Sequence, residues 1–137
     1  MSAPRTDPSI EGRRIVICDY NALLLSVTGL LRMSGYCVFQ AYDAMAVREL
    51  CAQLPDIELL ILNTTGAGVD SAILVRDIRE AHPTLGVLHI GNRELDGMPE
   101  DVPTLSERFT APELLATVAG LIPARLPDEV AGSVIPR

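Results

Sequence analysis

Four apolar runs in this chain end on residues that could do chemistry. Asp19 closes Ile15-Val16-Ile17-Cys18, and Asn63 closes Ile57 to Leu62. Gly91 closes Val87 to Ile90, and Glu107 follows the run Val102 to Ser106. Carboxylate and amide oxygens suit a hard divalent cation, and a carboxylate can also act as a nucleophile. Neither use is complete here. Mg²⁺ takes several oxygens in near-octahedral geometry, so Asp19 with Asn63 is too few, and Glu107 would have to join them to make a two-carboxylate site. The plainer reading of Asp19 is a helix cap or an acceptor for loop amides. For Glu107 it is a surface role or a pairing with Arg93 or Arg108. Cys18 has no base or cation beside it in sequence, which favours core packing over redox chemistry. His89, alone inside an apolar run, reads as a hydrogen-bonded core residue rather than a ligand or base.

The chain has no lysine; all 11 basic residues are Arg. A Lys ammonium is a compact point charge on a flexible stem, and Arg fills that role poorly. No Lys-containing phosphate loop can exist. The 137 residues, 48% hydrophobic and 21% charged, fit one globular domain. A net charge of −7 with scattered arginines excludes a nucleic-acid surface, which needs clustered cations. Cys18, Cys37 and Cys51 cannot all pair and lie in apolar runs. They are expected to be buried free thiols in a reducing compartment, the cytoplasm. The N-terminal segment has no signal-type apolar core, and no apolar stretch is long enough to span a membrane.

Those candidate residues must be held by the elements between them. Residues 1–12 read as a loose arm, 13–122 as the folded domain, and 123–137 as a flexible tail. Short β-branched runs, the pattern of strands buried on both faces, fall at Ile15–Cys18, Cys37–Ala41, Ile57–Leu62 and Val87–Ile90, with a weaker fifth at Val102–Ser106. Helical spacing falls between them. Leu23, Leu24, Val27, Leu30 and Leu31 run to a stop at Gly35. Asp43 caps a helix with Val47, Leu50, Cys51 and Leu54 on one face, ended by Pro55. Asp70 is expected to cap Ser71 to His82, with Ile73, Leu74, Ile78 and Ala81 inward. Thr110-Ala-Pro-Glu113 is a capping box opening a helix with Leu114, Leu115, Val118, Leu121 and Ile122. Strand–helix alternation implies right-handed crossovers and a five-stranded parallel sheet, α/β and doubly wound, with any site at the carboxyl ends of its strands.

The order and spacing of several stretches resemble the receiver domain of two-component response regulators. They are Arg14-Ile-Val-Ile-Cys-Asp19, Ser34-Gly35-Tyr36, Pro55 to Asn63, Val75 to Pro83 and Leu105 to Leu115. The resemblance implies a flavodoxin-like (CheY-like) fold of strand order 2-1-3-4-5. It also implies an acidic pocket that holds Mg²⁺ and an aspartate that takes phosphate from a histidine kinase. This sequence departs from the pattern at each working position. Asp19 fits one of an acidic pair, and its neighbour is Cys18 or Tyr20. Ile61 stands at the phospho-acceptor position. Asn63 matches a position whose backbone carbonyl commonly ligates the metal. Gly91 replaces a Ser/Thr, Glu107 replaces the Lys with Arg108 after it in place of a Pro, and Thr104 replaces a frequent aromatic. The stretch from Gly91 to Glu107 is short, so the helix between strands four and five should be shortened or lost.

The expectation is a degenerate receiver, or pseudoreceiver, that is no enzyme, has no catalytic residue and needs no cofactor. Its partner would be a protein: a histidine kinase, a regulator or its own copy, the last making a homodimer. Asp19 and Glu107 remain weak metal candidates. The alternative is a phosphorylatable receiver with a displaced acceptor carboxylate. Asp56 lies five residues before Ile61, roughly 16 Å along the strand, which is too far. A ligand-binding flavodoxin would need a hydroxyl- and Gly-rich loop after the first strand, where Tyr20-Asn21-Ala22-Leu23 stands; Thr64, Thr65, Gly66 and Gly68 come after the third.

Overall fold

The computed structural model describes residues 12–19, 23–54, 56–63, 71–92 and 98–122. In chain order the elements are β1 (Arg14–Asp19), α1 (Leu23–Met33), β2 (Cys37–Ala41), α2 (Ala44–Gln53), β3 (Ile57–Asn63), α3 (Ser71–Ala81), β4 (Gly86–Ile90), β5 (Thr104–Leu105) and α4 (Ala111–Leu121). The strands form one parallel sheet in the order β2-β1-β3-β4-β5. This is the CheY-like order. The arm and tail, apart from Gly12, the Asp70 cap, Tyr20, Pro55, Arg93 and the Thr64–Gly68 loop lie outside the described residues.

Both faces of the sheet are apolar, which is why the strands read as unbroken hydrophobic runs. Side chains alternate between faces. Ile15, Ile17, Leu59, Ile61, Leu88 and Ile90 pack with Val27 and Leu31 of α1 and with Leu114 and Val118 of α4. Val16, Cys18, Leu60, Leu62 and Val87 pack with Val47 and Cys51 of α2 and with Leu74, Val75 and Ile78 of α3. Each fully buried Leu or Ile contributes about 1.5–3 kcal/mol by leaving water.

Local signals set the element ends. Asp43 Oδ1 accepts the Ala46 amide at 2.7 Å and starts α2. Gly35, at φ 107°, stops α1, with the Tyr36 amide donating back to the Leu31 carbonyl. Arg32 of α1 then donates to the Val38 carbonyl of the edge strand β2 at 2.7 Å. The capping box of α4 is closed both ways, Glu113 N to Thr110 Oγ1 at 3.2 Å and Thr110 N to Glu113 Oε1 at 2.8 Å.

Three expectations are corrected. Cys37 is exposed, because it is the first residue of an edge strand. On α3 the buried row is Ser71, Leu74, Val75 and Ile78. Ile73 lies about 100° round the helix from Leu74, on the side away from Val75, and is 42% exposed; Ala81, the last residue of α3, is exposed too. The fifth strand is shorter than Val102–Ser106, pairing only at Thr104 and Leu105.

Among the described residues there is no helix between β4 and β5. The connection instead buries Met98 and Val102 in the core shared with α2 and α3. Arg79 of α3 meets Asp101 of this connection at 2.8 Å.

Candidate functional site

Parallel register places the strand ends together. Asp19 pairs with Asn63, Asn63 with Ile90, and Ile90 with Leu105. Adjacent strands lie about 4.8 Å apart, so these four form one row across the sheet. Gly91 follows that row directly, and Glu107 lies two residues beyond it. Two residues earlier on the strands come Ile17, Ile61 and Leu88, also register partners. The sheet therefore gathers Asp19, Ile61, Asn63 and Gly91, as the spacing required.

The chemistry of that row is poor. Ile61 is completely buried and belongs to the cluster spanning α1 and α4. It offers no lone pair to a metal or a phosphoryl group. Asn63 is buried. Gly91 adopts φ 142°, and its amide donates to the Leu105 carbonyl at 2.9 Å, which fixes it in the β4–β5 ladder. Glu107 is exposed in a tight turn. Phe109 N donates to Ser106 O at 3.1 Å and Arg108 N to Ser106 Oγ at 3.1 Å, so the turn carries Glu107 at its outer corner. Among the described residues, no group of three or more His, Cys, Asp or Glu side chains could hold a metal ion.

The remaining candidates fall where the simpler readings put them. Cys18 is buried in the core. Cys51 is buried as well, and desolvation pushes its thiol up to about 11. His89 is fully buried, its Nδ1 3.1 Å from Thr104 Oγ1 on the neighbouring strand. Sequence singled out both residues but not their contact, which follows only from the β4–β5 register. Asp56, the displaced carboxylate, is exposed at the opposite end of β3 and accepts from Arg14 Nη1 at 2.6 Å. Beside it, Arg13 is buried and paired with Glu58. A pairing between the starts of β1 and β3 was not legible in sequence, since nothing there sets the register.

No family model and no curated protein matches the chain. Solved structures do. A response regulator receiver domain protein from Clostridium thermocellum superposes with a TM-score of 0.71 at 20% identity, covering 80% of this chain and 94% of that one. A response regulator receiver protein from Sinorhizobium medicae gives 0.69 at 22% identity, covering 81% and 94%. A chemotaxis response regulator of Vibrio cholerae gives 0.69 at 17% identity, covering 81% and 99%. The order of the sheet, the helices on its two faces and these superpositions agree: the chain has the fold of a response-regulator receiver domain.

Proposed function

We propose that the chain is a degenerate receiver that serves two-component signalling by binding another protein, without accepting a phosphoryl group. The observation that supports this reading is Ile61. It holds the position that the resemblance assigns to the acceptor aspartate, and it is packed shut among apolar side chains. A receiver's Mg²⁺ does not fit the donors present. Ile61 contributes no side-chain oxygen and Glu107 is exposed in a turn, which among the described residues leaves Asp19 and Asn63 for a cation that takes about six oxygens. The opposing charge is reversed too, with Glu107 where a Lys would neutralise phosphoryl oxygens.

A scaffold in this condition can still present helices to a histidine kinase, a regulator or a second copy of itself. On this reading it is no enzyme, and its buried free thiols, Cys18 and Cys51, suit a reducing cytoplasm. The displaced-acceptor alternative finds no favour in Asp56, which lies at the wrong end of β3 and is engaged by Arg14. The test is incubation of the whole chain with a small phosphodonor and Mg²⁺, followed by intact-mass measurement. The expected outcome is no added phosphoryl group. A phosphoryl adduct that is lost at mildly alkaline pH defeats the proposal.

A further inference from the structure

We infer that the outer face of α2 and α3 docks a second copy of this chain, about a two-fold axis that runs parallel to the two helices. The inference rests on the reading that the chain works by binding a protein, and it names that protein and the face.

Both helices cross over between parallel strands, so they run in the same direction. Three levels match across the cleft between them. In the middle, Arg48 Nη2 donates to Asp77 Oδ2 at 3.0 Å. Residues three and four apart on a helix share a face. One turn toward the helix starts lie Met45 and Ile73, both exposed. One turn toward the helix ends lie Ala52 and Ala81, also exposed. At that level the cleft deepens into a cavity of about 170 Å³, lined by Ala52 and Ala81 together with Cys51 and Ile78. Ligand sites run to roughly 300–1,000 Å³, so the cavity is small for a ligand. The short side chains instead let the helices of another molecule come close.

This face is complementary to itself. The axis keeps each level and exchanges the helices, so α2 of one copy meets α3 of the other. Arg48 of one copy then faces Asp77 of the other, and the two ion pairs become a ring of four alternating charges. Such charges fix orientation more than strength. Met45 and Ile73 of both copies meet as one apolar cluster, which removes from water side chains that the monomer leaves exposed. The face carries Arg48 and Arg76 against Glu49, Asp77 and Glu80, so its own charge nearly balances although that of the chain is −7. Helices of 10 and 11 residues are about 15 Å long, and a pair about 20 Å wide presents roughly 300 Å² per copy. A standard interface takes about 800 Å² per partner, so this dimer is weak and forms at high concentration.

The test is sedimentation of the whole chain from about 20 µM to about 1 mM, in about 0.15 M salt to screen the net charge. The wild type should dimerise reversibly within that range. Met45→Glu and Ile73→Glu, both at exposed positions, should each weaken the dimer about tenfold or more. Arg48→Asp and Asp77→Arg should each leave a monomer, because like charges then face each other. An equal mixture of those two variants should dimerise, because each then meets its opposite at both positions. A wild type that stays monomeric across the range overturns the inference. So does a dimer that Met45→Glu and Ile73→Glu leave intact, or a mixture of the charge variants that stays monomeric. The two readings fail separately. Phosphoryl uptake by the wild type removes the proposed function and leaves the dimer, whereas a monomer without uptake removes only this inference.

Discussion

Replacing Ile61 with Asp should cripple the fold before it can confer any activity. Two costs combine. The first is the lost burial of a fully enclosed Ile, about 1.5–3 kcal/mol. The second is the new carboxyl. In an apolar cluster between α1 and α4 it cannot ionise cheaply, and its pKa rises by roughly 3 units or more from about 3.9. Holding it neutral at pH 7 then costs about 4 kcal/mol, at 1.36 kcal/mol per unit. The sum, about 6 kcal/mol, takes from about two fifths to all of a typical domain stability of roughly 5–15 kcal/mol. The sign of the pH dependence follows. The native state keeps a proton that the unfolded state releases above about pH 3.9, so the variant loses stability as pH rises from there, by up to about 1.4 kcal/mol per unit. Urea unfolding at pH 4.5 and pH 7 measures both effects, with Ile61→Val, expected to cost about 1 kcal/mol, as the control. An Ile61→Asp protein within about 1 kcal/mol of wild type at pH 7, and without a pH slope, refutes the claim that this position is sealed.

Four further outcomes check other parts of the structure. Gly29 in α1 and Gly120 in α4 have nothing within 4 Å of an added Cβ. Gly29→Ala and Gly120→Ala should therefore each raise stability by about 0.5–1 kcal/mol in thermal melts, and a loss would reveal a contact the fold does not show. Thr110→Ala removes half of the capping box and should cost about 1 kcal/mol in the same assay. Cys37 should react with a thiol reagent in the native state while Cys51 does not. Because the unfolded Cys51 thiol ionises near 9.0 and the native one near 11, stability should fall between those values, by at most about 1.4 kcal/mol per pH unit. A flat alkaline limb counts against the buried thiol.

Much of the fold was legible because it depends on local pattern. Strands buried on both faces have to be continuous apolar runs, so Ile57–Leu62 and Val87–Ile90 identify themselves, and Asp43, Gly35 and the Thr110–Glu113 box punctuate the helices by rules that act over three or four residues. The proposed loss of chemistry rests on composition in the same way: the chain has no lysine, and Ile61 near the end of its third strand carries no side-chain oxygen, whatever its shape. What a local pattern cannot fix is register and backbone conformation. The row Asp19–Asn63–Ile90–Leu105, the contact between His89 and Thr104 and the pairing of Arg13 with Glu58 each join residues far apart in sequence, and they exist only once the strands are aligned. Cys37 looked buried because its run is apolar, and the sheet exposes it by placing β2 at the edge. Gly91 reads in sequence as a missing hydroxyl, and only the β4–β5 ladder turns it into a backbone that a hydroxyl side chain would strain.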